Sequence, residues 1–146
     1  MADLVTKTLN RQVAALPFRY TSRGETEILL LTSRRAKRFI VPKGWPTEEL
    51  ADYDVAAQKA YEEAGVIGKA LHTPVGDYLH WKKSGGEAAC VMVDVYALEV
   101  RTQLRKWPQM KRRQLSWFSP SDASGVAYAP GLAELVKNFV PSCTRF

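Results

Sequence analysis

At 146 residues, 46% of them hydrophobic and 25% charged, the chain has the composition of one globular domain, which excludes a disordered or fibrous protein. Twenty-one Lys and Arg against fifteen Asp and Glu leave a net charge of +6. The excess is clustered at Arg34, Arg35, Lys37 and Arg38, at Lys82 and Lys83, and at Arg105, Lys106, Lys111, Arg112 and Arg113, so a polyanionic partner is expected unless these runs simply face water.

In chain order, RQVAALPFRY at 11–20 and TEILLLTS at 26–33 flank a Gly-containing turn and read as a β-hairpin, with Pro17 marking an edge or a bulge. RFIVPKG at 38–44 reads as a short strand stopped by Pro42 and Gly44. A polar loop, GWPTEELA, leads to Asp52 as an expected N-cap, then to YDVAAQKAYEEA and to Gly65 as the residue ending a helix. On this helix Ala56, Ala60 and Ala64 recur every four residues, a narrow stripe able to press on a sheet, while Lys59, Glu62 and Glu63 share another side.

Residues 67–81 read as one or two strands broken near Pro74 and Gly76. After the basic turn KKSGGE, AACVMVDVYALEV at 88–100 gives the strongest strand signal, continuous enough to be central. QLSWFSP at 114–120 reads as a strand ended by Pro120, and PGLAELVKNFV at 130–140 as a helix presenting Leu132, Leu135, Val136 and Phe139 on one face. This order predicts an α/β sandwich, a mixed β-sheet flanked by helices.

The start, MADLVTKTLNRQVAAL, lacks the apolar stretch of a secretion signal, and no run reaches the length of a membrane span. Cys90 and Cys143 show no zinc-ligand spacing. The expectation is a soluble, cytoplasmic protein that does not engage a membrane.

Acids at i, i+3 and i+4 on a helix, backed by a loop carbonyl, form half of a cage for a hard divalent cation, and such a cation neutralises a phosphate chain under attack by water. Here the segment from Gly44 to Val66 resembles the signature of the Nudix hydrolases: G, five residues, E, seven residues, then R-E-U-x-E-E-x-G-U, with U a bulky aliphatic residue. Gly44 falls on the first glycine, and Glu62, Glu63, Gly65 and Val66 on the closing E-E-x-G-U. The VPKG entry, the long strand and WFSPSDA at 117–123 extend the resemblance over roughly residues 11–140. It implies a Nudix-type α/β/α sandwich forming a single domain over 1–146, with tails at 1–10 and 141–146. It further implies hydrolysis of a phosphoanhydride, Mg²⁺ or Mn²⁺ as cofactor, and metal ligation by Gly44, Glu62 and Glu63.

Four positions depart from the signature: Leu50 at the first Glu, Gln58 at the Arg, Lys59 at the following Glu and Ala60 at the first U. In the family the first Glu and the Arg support the signature's geometry by ion pairing; here Leu50 and Gln58 replace both, so neither is left without its partner. Lys59 stands where the family has a metal ligand, and an ammonium about 4 Å from the carboxylates opposes a cation by a few kcal/mol at intermediate dielectric. Two accounts follow. Either Lys59 is an internal counter-ion in an impaired or non-catalytic domain that binds a phosphorylated small molecule, or Glu62 and Glu63 still hold metal and a carboxylate outside the signature is the base. Glu87 is the first candidate for that base, with Glu48, Glu49 and Asp94 beside it.

For the substrate, a basic run before the late W-F, as in KRRQLSWF at 111–118, resembles the family members that cleave diphosphoinositol and dinucleoside polyphosphates. Arg38, Lys43, Lys82 and Arg112 are the expected phosphate contacts. Trp45, Tyr78 and Trp81 are either stacking surfaces for a base or core residues. Nucleic acid ranks last as a partner, because no DNA- or RNA-binding motif accompanies the charge.

Overall fold

The computed structural model describes residues 10–34, 37–84 and 87–139, apart from the side chains of 82–84, 87 and 88. One eight-stranded sheet runs through it: β1 (Arg11–Tyr20), β2 (Thr26–Thr32), β3 (Phe39–Ile40), β4 (Lys43–Gly44), β5 (Val66–Ala70), β6 (Gly76–Ser84), β7 (Glu87–Gln103) and β8 (Leu115–Phe118). Among the described residues, three helices pack on it, α1 (Asp52–Ala64), α2 (Pro120–Val126) and α3 (Pro130–Lys137).

The apolar run at 88–100 predicts the strand that organises the sheet. β7 pairs in parallel with β1 along one edge, Arg11↔Met92 through Phe18↔Glu99, and in antiparallel fashion with β6 and then β5 along the other. Pro17 marks neither an edge nor a bulge, because β1 is internal, between β7 and the strands β2 and β4. The missing N–H is tolerated for a local reason. β1 leaves β4 at Val13 and Ala14 and joins β2 only at Phe18, so Pro17 falls where the partner changes and no ladder bond is forfeited.

Alternation along β1 fills two cores. Val13 and Ala15 face α1 with Leu29, Leu31 and Leu98, while Ala14, Leu16 and Phe18 face α2 and α3 with Val93 and Leu132. Each fully buried Leu or Phe contributes about 2 kcal/mol relative to exposure. The late W-F pair splits between them, Trp117 toward the first core and Phe118 toward the second. The expected alanine stripe is realised, with Ala56, Ala60 and Ala64 fully buried against the sheet.

One local expectation changes: Ala51, not Asp52, is the N-cap of α1, which places Asp52 in the first turn. After β8 comes a helix not assigned from the sequence, α2, where the Ser119 hydroxyl accepts a hydrogen bond from Asp122 N at 3.1 Å and Pro120 opens the helix. Among the described residues, no helix is long and apolar enough to cross a membrane.

Candidate functional site

The candidate site lies where α1 ends. Gly65 closes the helix in the left-handed region at φ 67°, and its bare Cα lies against the Trp107 ring, where a Cβ would collide. The end of β7 and the loop after it supply donors to this end of the helix: Gln109 N donates to Glu62 O at 3.0 Å, Leu104 N to Gly65 O at 2.8 Å, and Gln103 Nε2 to Ala64 O at 3.1 Å. The same loop delivers Arg113, held by Nη1 donating to Thr32 O at 3.1 Å and Nε to Gln109 Oε1 at 3.0 Å.

Glu62 and Glu63 sit in the last turn, at the negative end of the helix dipole, and no basic residue follows them in that turn. Their charges are met from elsewhere. Lys59 Nζ donates to Glu62 Oε1 at 3.2 Å, and Gln58 Nε2 donates to Glu62 Oε2 at 3.2 Å. Glu63 is buried, with Arg113 Nη2 3.7 Å from its Oε1. Burial pushes the Glu63 carboxyl above its usual range, against the opposing pull of Arg113, Lys43, Lys59 and the Lys43 backbone N–H. Burial likewise lowers the Arg113 guanidinium, although Glu63 pulls it back up.

Strand β4 brings Gly44 beside this turn through its pairing with Val13. The approach is close: a Cβ at this position would meet the Lys59 stem at Cε and Cδ, and the lysine would have to shift. Lys59 therefore lies across the Gly44 backbone with its ammonium on Glu62. As arranged, these residues do not fit a divalent cation: both Glu62 oxygens hold in-chain donors, Glu63 faces a guanidinium, and no group of three or more His, Cys, Asp or Glu suited to metal occurs among the described residues.

The other expected site residues are dispersed. Lys43 adjoins Glu63. Arg38 lies 4.0 Å over the Tyr128 ring. Arg112 lines a cleft of about 510 Å³ with Lys106, Trp107 and Lys111, while its neighbour Arg113, not singled out from the sequence, reaches Glu63. Lys82 and Glu87 lie on β6 and β7 with side chains outside the described residues. Glu48 and Glu49 are exposed in the loop before α1. Asp94 is 3.0 Å from Arg11 Nη1, which also pairs with Asp52 at the opposite end of α1 from Glu63. Tyr78 is a core residue, whereas Trp45 and Trp81 are exposed.

No family model matches the sequence. The chain is, however, 30% identical over 165 residues to Nudix hydrolase 16, mitochondrial, of Arabidopsis thaliana, covering 95% of this chain and 90% of that protein. The chain belongs to the Nudix hydrolase family. It is also 32% identical to rat diphosphoinositol polyphosphate phosphohydrolase 2, over 92% of this chain and 73% of that one. Of four other Arabidopsis Nudix hydrolases it spans between 51% and 65% of the length. A Caenorhabditis elegans Ap4A hydrolase has the same fold, with a TM-score of 0.66 at 18% identity over 93% of this chain and 98% of that one.

Proposed function

We propose that this Nudix chain hydrolyses a phosphoanhydride bond in a highly phosphorylated small molecule, either nucleoside diphosphate-linked or of the dinucleoside or diphosphoinositol polyphosphate class. The observation that carries the reading is the last turn of α1, where two adjacent carboxylates meet Lys43, Lys59 and Arg113 beside Gly44. The names of the rat and nematode relatives supply the two polyphosphate classes. Lys106, Lys111 and Arg112 around the neighbouring cleft are suited to further phosphates.

Glu63, in the last turn of α1 beside Lys43 and Arg113, is the first candidate to take a proton from an attacking water. Glu87 is the second candidate. Lys43 and Arg38 orient and neutralise phosphates, and Lys82 does so from β6. Nudix hydrolases generally use a divalent ion, and Mg²⁺ or Mn²⁺ is the ion to supply. The arrangement of Lys59 and Glu62 does not accommodate one, so turnover by the natural sequence is expected to be slow.

A second reading, a binding domain without turnover, is favoured by the Lys59–Glu62 pair itself. A panel of phosphoanhydrides with Mg²⁺ or Mn²⁺ separates the two, comparing the parent with Lys59→Glu, Glu63→Gln and Glu87→Gln. Slow hydrolysis by the parent, increased in Lys59→Glu and reduced about 10²-fold or more in Glu63→Gln, is expected. Activity confined to Lys59→Glu would overturn the enzyme reading for the natural chain.

A further inference from the structure

We propose that Lys59 is a built-in cation doing the work of a divalent metal at this site, so that the chain retains an inorganic polyphosphate, or the equivalent part of a larger molecule, without metal. This rests on the polyphosphate reading above and departs from it in one respect, the source of the positive charge.

Three observations converge on the Lys59 ammonium. Its stem lies across Gly44, in space that a Cβ at that position would take. Its nitrogen bonds Glu62 Oε1 at 3.2 Å and lowers the cost of a charge on Glu63. Its side chain nevertheless remains 30% exposed. An ammonium carries three N–H donors and Glu62 Oε1 takes one, which leaves donor capacity for a phosphate oxygen.

The charge balance points the same way. Around the last turn of α1, Lys43, Lys59 and Arg113 outnumber Glu62 and Glu63. A cage of three carboxylates is negative and repels phosphate until metal arrives. Exchanging one carboxylate for an ammonium changes the local charge by two units and makes the metal-free site attractive to an anion. Gln58, on Glu62 Oε2 at 3.2 Å, keeps that carboxylate turned toward the lysine.

Two measurements test this, with metal alone and with anion alone. In Mn²⁺ titrations followed by electron paramagnetic resonance, the parent is expected to bind at least about tenfold more weakly than Lys59→Glu. In calorimetry with inorganic tripolyphosphate and excess EDTA, the parent is expected to bind. Lys59→Met should weaken that binding about tenfold or more, and Lys59→Arg should restore most of it. Thermal melts of all three check folding, and Lys59→Gln replaces any variant that melts early.

Tight Mn²⁺ binding by the parent, loss of tripolyphosphate binding in EDTA, or unchanged binding by Lys59→Met would each overturn the proposal. Failure of the hydrolase reading looks different. Tripolyphosphate would then bind in EDTA while no phosphoanhydride is cleaved under any metal condition. Conversely, metal-requiring binding with hydrolysis would remove this inference and leave the hydrolase standing.

Discussion

At its first turn, helix α1 shares one guanidinium between two carboxylates: Arg11 Nη1 lies 3.0 Å from both Asp52 and Asp94. At its last turn, two carboxylates meet three cations, and the pair at the centre, Glu63 with Arg113, leaves only 9% of each side chain exposed. The first arrangement runs with the helix. Aspartate in the first turn faces the positive end of the dipole, and side chains 25–37% exposed keep much of their hydration. The second runs against it, since Glu62 and Glu63 stand at the negative end and Glu63 is buried as well. A carboxylate held where both helix and burial oppose its charge is a costly element of a scaffold, and such groups concentrate at sites that act on ligands.

The sharpest way to break this contrast is Arg113→Met. It removes the guanidinium from a buried partner and leaves Thr32 O and Gln109 without their donor. A loss of about 3 kcal/mol is expected in urea unfolding, the low end for breaking a buried pair, because Glu63 can take up a proton instead of remaining charged. Adding Glu63→Gln to the same chain should recover a large part of it, as expected for directly coupled residues. A loss under about 1 kcal/mol would make the Glu63–Arg113 contact no different from a surface pair.

The pH dependence sharpens the same point. Burial raises the folded-state carboxyl of Glu63 above its ordinary value of 4.5, so the folded chain binds this proton more readily than the unfolded chain. Its contribution to stability is therefore fully present below 4.5 and is lost as pH rises from there through the raised folded value. Unfolding free energy measured across that window should fall more steeply for the parent than for Glu63→Gln. In Arg113→Met the decline should extend to higher pH, because the strongest influence lowering the carboxyl is gone. Identical slopes in parent and Glu63→Gln would show that Glu63 titrates as an ordinary exposed acid.

Much of α1 was legible because helical period is local information. The alanine stripe and the i, i+3 spacing of Lys59 and Glu62 follow from 3.6 residues per turn, and both hold in the fold. The conflict raised by Lys59 resolves into a hydrogen-bonded ion pair across Gly44. Other features depended on tertiary pairing. Nothing local distinguishes Arg112 from Arg113. One lines a cleft and the other turns inward, because Thr32 N and the Thr32 hydroxyl hold Gln114 from both sides just before β8 begins. Pro17 carried a correct warning about hydrogen bonding but a wrong placement, since the change of partner strand is invisible along the chain. Helix α2 did leave a signal, Ser119 followed by Pro120 and Asp122, a capping pattern outweighed by the strand preceding it.

The gentlest perturbation is at the other end of α1. Arg11→Met leaves Asp52 and Asp94 facing each other, with Asp77 paired across from Asp94 in the β6–β7 register. Repulsion among these partly exposed acids is screened, so the loss should stay near 1 kcal/mol or below and shrink further in 1 M salt, where screening acts within about 3 Å. Asp52 and Glu63 are eleven residues apart on one helix, about 16 Å of axial rise, beyond the screening length at physiological salt. Tripolyphosphate binding and phosphoanhydride turnover should therefore be unchanged in Arg11→Met. A change in either, with stability intact, would mean that the two ends of α1 belong to one ligand site, and the division drawn between scaffold and site would have to move.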